Sequence, residues 1–208
     1  MNNISDPMSA TQTLPPDFKA IGTFDLRNNP QALLQLNILG FVLFAVTAAL
    51  FWYILQIVRP VEAQAGMAIG FSDLNGVLQI ILAVIATTVV MIVLHEAAHG
   101  LFFWWFTRSR PKFAFRGTYA YACAPTWYIP KRQYLVVALA PLVLLSLLGV
   151  ALMAVIPAEG FTLLLLFLVS NASGAIGDLW VVGWLLRQSA PTYALDEGDA
   201  VTLYVKKA

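Results

Sequence analysis

His95-Glu96-Ala97-Ala98-His99 holds both histidines of this 208-residue chain and lies between two apolar stretches, Ile80–Leu94 and Leu101–Phe106. On a helix, positions i and i+4 share a face, so both imidazoles can hold one metal ion while Glu96 reaches a water beside it. A glutamate and two histidines in hydrocarbon must be compensated by partners. That cost favours a metal site over a structural hydrogen-bond cluster. Catalytic zinc takes three protein ligands and keeps a fourth position open. Within the long apolar stretches the only acidic residues are Glu96 and Asp178. His99 stands nine residues before Arg108, and Asp178 nine before Arg187. At about 1.5 Å per residue, both sit roughly 13 Å from a basic boundary residue. Asp178 is therefore read as the third ligand; pairing with an arginine or a backbone group is the alternative. Asn171, seven residues before it, falls on nearly the same helical face and is a candidate for binding a substrate carbonyl or orienting a ligand.

The elements that must position these residues follow from composition. Hydrophobic residues make up 60% of the chain and charged ones 11%, and the mean hydropathy is +0.76. A soluble domain carries roughly 25% charged residues. The expected fold class is all-α integral membrane, with four transmembrane helices at about Leu33–Val58, Leu74–Phe106, Tyr134–Ile156 and Phe161–Leu186. Ser72 or Asp73 would cap the second helix. One domain is read over 1–208: an N-terminal segment 1–30, a four-helix membrane core 31–187, and a tail 188–208. A net charge of +1 without a basic run gives no reason to expect nucleic acid. The single cysteine, Cys123, excludes an intrachain disulfide and a cysteine metal cluster. No cleavable signal peptide is read in the polar first thirty residues.

Between the second and third helices lie Arg108, Arg110, Lys112, Arg116, Lys131 and Arg132 with no acidic residue. The positive-inside rule makes this loop cytoplasmic, and with it both termini. The membrane expected is the cell's inner (plasma) membrane. Phe113, Phe115, Tyr119, Tyr121 and Cys123 fall on alternate positions around Arg116-Gly117-Thr118. Either a small β-hairpin or an interfacial, re-entrant aromatic loop gives that pattern. Ala200–Val205 is strand-like and could pair with a hairpin there. An extended substrate could add to the Phe113–Ala124 edge as a strand, with Phe115, Tyr119 and Tyr121 as substrate contacts.

These residues resemble a known group. His95-Glu96-Ala97-Ala98-His99-Gly100-Leu101-Phe102-Phe103, Pro111-Lys112-Phe113, Tyr119-Ala120-Tyr121-Ala122-Cys123-Ala124-Pro125, Gln133-Tyr134 and Ala140-Pro141 are similar to a bacterial family of membrane proteins, the putative zincin peptidases. The similarity extends from about Leu14 to the C-terminus. That family in turn resembles the site-2 intramembrane metalloproteases. The resemblance implies His95, His99 and Asp178 as zinc ligands, Glu96 as general base, and Asn171 as the substrate-contacting asparagine. Gly174 stands where that pattern has proline, and Asp178 lies between Gly177 and Leu179 rather than between leucine and glycine.

The function expected is a zinc-dependent intramembrane endopeptidase acting on membrane-protein or peptide substrates within the lipid bilayer. A scaffold with a structural zinc site is the alternative, although it would need no base. Hydrolysis of a non-peptide amide or ester would use the same chemistry, and an ion relay would leave Glu96 incidental. The oligomeric state and the substrate are not legible.

Overall fold

The computed structural model describes residues 8–65, 74–117 and 119–207. The expected Ser72/Asp73 cap lies outside them. Helix α1 spans Pro30–Val58, α2 Pro60–Ala65, α3 Leu74–Thr107, α4 Lys131–Met153, α5 Phe161–Gly174 and α6 Ile176–Leu186. Six strands accompany them: β1 Phe18–Asp25, β2 Lys112–Phe115, β3 Ala120–Cys123, β4 Tyr128–Pro130, β5 Thr192–Asp196 and β6 Ala200–Lys206.

Among the described residues, four helical stretches are long and apolar enough to cross a membrane: Pro30–Val58, Leu74–Thr107, Lys131–Met153 and Ala158–Leu186. Only 6% of the most apolar window of Leu74–Thr107 is buried inside the protein. An apolar surface of that extent is compatible with a lipid-facing helix. The fourth stretch is not one helix. It breaks at Ala175, whose N–H turns back to the carbonyl oxygens of Asn171 and Ser173. Gly174 and Gly177 flank the break, and glycine is a poor helix former. A Cβ on either glycine would meet nothing within 4 Å, so neither marks a close approach between helices.

The expectation of an all-α fold is overturned by two antiparallel sheets. The two-stranded one is the hairpin between the second and third spans, with Phe113 opposite Ala122 and Phe115 opposite Ala120. The four-stranded one runs in the order β1-β6-β5-β4. It draws on the N-terminal segment, on the residues before α4 and on the tail. Strand β6 pairs with β1 and β5, not with the hairpin. The physical reason is burial: Ile129, Ala194, Val201 and Leu203 pack with Val181 and Leu185 of α6 and with Tyr134 and Val137 of α4. That core needs an apolar sheet face, which no helix of the expected fold supplies.

Contacts divide the chain into two compact units. The first comprises Met1–Gln35, Glu96–Ala140 and Gly177–Ala208. It holds both sheets, the end of α3, the start of α4 and all but the first residue of α6. The second comprises Leu36–His95 and Pro141–Ile176. Its core is Phe51, Leu55, Met153, Leu165 and Leu168. Gly149 allows α4 to meet Leu168 of α5, because a Cβ there would overlap the leucine side chain. Arg59 binds the carbonyl oxygens of Met153, Ala154 and Ile156, satisfying acceptors that the end of α4 leaves without a helical donor.

Candidate metal centre

Helix α3 runs unbroken through the motif, so His95 and His99 share a face by helical geometry. Both are buried, and Glu96 is half-buried. In the first unit, His99 Nε2 lies 3.4 Å from Asp178 Oδ1. Asp178 occupies the first turn of α6, where the helix dipole favours a carboxylate. One ligand atom from each of His95, His99 and Asp178 lies within 4.8 Å of the others.

The remaining ring nitrogens are engaged. His99 Nδ1–H donates to the backbone oxygen of Val137 at 2.9 Å. His95 Nδ1–H donates to Asn171 Oδ1 at 3.0 Å. Asn171 Nδ2 donates in turn to the carbonyl of Pro141 at 3.3 Å, which fixes which end of the amide faces the histidine. Both acceptors are oxygens, so both rings carry their proton on Nδ1 and present the Nε2 lone pair to a cation. Metal-ligating histidines are oriented in this way by their second nitrogen.

The residues fit zinc. Two imidazoles and one carboxylate are a three-ligand set of the kind that leaves a fourth position for water. With ligand bonds of about 2.1 Å, the edge of a tetrahedron is about 3.4 Å, the separation found between His99 and Asp178. The fold brings together His99 and Asp178, which stand the same nine residues before Arg108 and Arg187.

Asn171 is wholly buried, with its side chain on His95 and Pro141. Phe115 is exposed. The two tyrosines are engaged: Tyr119 Oη donates to Asp199 Oδ1 of the tail at 2.8 Å, and the Arg116 guanidinium lies over the Tyr121 ring. Arg116 Nη2 donates to Asp199 Oδ2 at 2.7 Å. This hydrogen bond holds the Asp199 carboxyl below the usual carboxylate range. Gly198, at φ +89°, is required by the same contact, since a Cβ there would fall inside the Tyr121 ring. The hairpin also rests on the motif helix. Gly100, one residue past His99, receives the Phe113 ring where any side chain would collide with it.

Sequence reasoning missed the tail's part in this. Asp196 accepts from Tyr134 Oη at 2.6 Å and from the N–H of Gly198 at 2.8 Å. Burial pushes its carboxyl up to about 6. Nothing in the local pattern of Thr192–Asp199 signals these partners.

His95, His99 and Asp178, with the half-buried Glu96 beside them on α3, form a group that could hold a metal ion. The chain belongs to the Putative zincin peptidase family, whose profile matches residues 88–193, half of its length. The matched region takes in His95, Glu96, His99 and Asp178. No curated protein and no solved structure gives a match. Family membership supports a zinc metallopeptidase, and the His95, His99 and Asp178 group could bind the metal.

Proposed function

We propose that this chain is a zinc-dependent intramembrane endopeptidase of the site-2 type. The observation that carries the reading is the convergence of His95, His99 and Asp178 beside Glu96, on helices apolar enough to lie in a bilayer. When bound, zinc supplies Lewis acidity that activates water and polarises the scissile carbonyl. His95, His99 and Asp178 hold the ion, while Asn171 and the Val137 carbonyl keep the two imidazoles in the binding tautomer. Glu96 accepts a proton from the attacking water on its carboxylate and returns it to the departing amine nitrogen.

The peptide must be extended to be attacked, because a helix shields its carbonyls. The β2–β3 hairpin supports this need, since Phe113 lies on Gly100 next to His99 and each strand has one edge without a sheet partner among the described residues. An unwound substrate adds to that edge through backbone hydrogen bonds. Unwinding must take place where protein or a water-filled cavity receives the chain. The basic residues of the connection between the second and third spans favour a cytoplasmic side for it and for both termini. Pairing of N-terminal β1 with C-terminal β6 in one sheet is consistent with termini on one side.

Purified protein should hold about one zinc per chain, the stoichiometry of a mononuclear site. Asp178→Ala should lose it. Glu96→Gln should retain zinc and lose cleavage of membrane proteins that accumulate in cells carrying that variant. Full zinc occupancy in Asp178→Ala, or unchanged cleavage by Glu96→Gln, would overturn the assignment.

A further inference from the structure

Helix α4 carries a proline inside its span, Pro141. Proline has no backbone N–H, so the carbonyl four residues back loses its helical donor. That carbonyl belongs to Val137, and it accepts His99 Nδ1–H at 2.9 Å. The carbonyl of Pro141 itself accepts from Asn171, whose Oδ1 accepts from His95. One proline thus stands behind the second ring nitrogen of each histidine.

We propose that Pro141 is a positioning residue of the metal centre, which withholds an N–H so that the Val137 carbonyl is free to orient His99. The idea rests on His99 as a metal ligand. In an ordinary turn of α4 the residue at 141 would donate to Val137, and that oxygen would be shared between two donors. A shared acceptor binds each donor less well, and the imidazole is the donor that can rotate away. Here the freed oxygen accepts the hydrogen bond from His99 Nδ1–H, which leaves Nε2 facing Asp178, 3.4 Å away. Val137 and Pro141 are both buried among protein atoms, which shields the freed carbonyl from competing water.

The test uses the full chain in detergent, with zinc affinity read by competition against a chelating dye and the thermal midpoint read on the zinc-free protein. Pro141→Ala should raise the zinc-free midpoint, because the helix regains a hydrogen bond, yet weaken zinc binding about 10-fold, the lower end of the range for lost outer partners of metal ligands. A merely structural proline would move both readings in one direction. Placing lactic acid at position 141, which gives an ester with no N–H and no ring, should restore wild-type zinc affinity. Zinc affinity of Pro141→Ala within twofold of wild type would overturn the proposal. So would a lactic acid variant as weak as the alanine one, since the ring would then be what matters. A wild-type chain that binds no zinc would overturn the metal assignment and this inference together, whereas wild-type binding with an indifferent Pro141→Ala would overturn the inference alone.

Discussion

Asn171→Ala separates the two roles that an asparagine at this position can play. Its amide oxygen accepts His95 Nδ1–H at 3.0 Å, and Asn171 has no exposed surface. Truncation leaves a buried N–H without that acceptor, which costs about 1–3 kcal/mol of folding stability. The effect on zinc is a difference between two states. With the cation on Nε2, the Nδ1–H is polarised and its bond is of the charged kind, worth about 1.5–3 kcal/mol. Without the cation it is a neutral bond worth about 0.5–1.5 kcal/mol. The gap of about 1–1.5 kcal/mol corresponds to roughly a 5- to 13-fold loss of zinc affinity. Dye competition on the purified variant measures it, with the zinc-free thermal midpoint as the check on folding. A folded Asn171→Ala protein with zinc affinity within twofold of wild type would refute the orienting role. If that protein also lost cleavage, the substrate-contact role would stand in its place.

Asp199→Ala should loosen the hairpin, because it removes the acceptor of both Arg116 and Tyr119. Amide exchange across Phe113–Cys123 should quicken while zinc affinity holds, and unchanged exchange would show that the tail does not secure the hairpin. Asp196 carries a carboxyl raised by burial from 3.8 to about 6. Between those values the folded state binds more protons than the unfolded one, so this group's contribution to stability falls as pH rises from about 4 to 6. A shift of this size is worth about 3 kcal/mol. Denaturant midpoints of zinc-free wild type and Asp196→Asn, measured across that window, should differ in slope in this sense, and parallel curves would count against it. Burial also pushes the Cys123 thiol up to about 12, leaving on the order of 10⁻⁵ as thiolate at neutral pH. Maleimide should label the folded chain far more slowly than the unfolded one, and equal rates would contradict the burial.

The grouping of His95, His99 and Asp178 was legible because ionisable groups inside the apolar stretches are few and a helix rises by a constant step. Those two facts sufficed to pair Asp178 with His99 before any fold was known. The four-stranded sheet was not legible, because each of its strands is weak taken alone. β1 is interrupted by an irregularity between Ala20 and Gly22, β4 has three residues and ends in Pro130, and β5 is buried at nearly every position rather than alternately. Only pairing between distant segments, such as Phe18 with Lys206, reveals them. The break at Ala175 was hidden for a different reason. Two glycines in an apolar run read as a packing surface, yet here they part Asn171 and Asp178 onto separate helices.

The same limit governs the tyrosines and the proline, and it is one of partnership. Alternating aromatics in Phe113–Cys123 disclose a strand but not that Tyr119 is bound by a carboxylate 80 positions away. A proline within α4 discloses a carbonyl without its donor but not which side chain takes it up. Local pattern specifies what each group lacks: a counter-charge, a donor, a neighbour across a sheet. Tertiary packing decides who supplies it. In this chain the needs of ionisable groups set within apolar helices, those of His95, His99 and Asp178, were the ones that could be matched in advance, since so few groups were available to meet them.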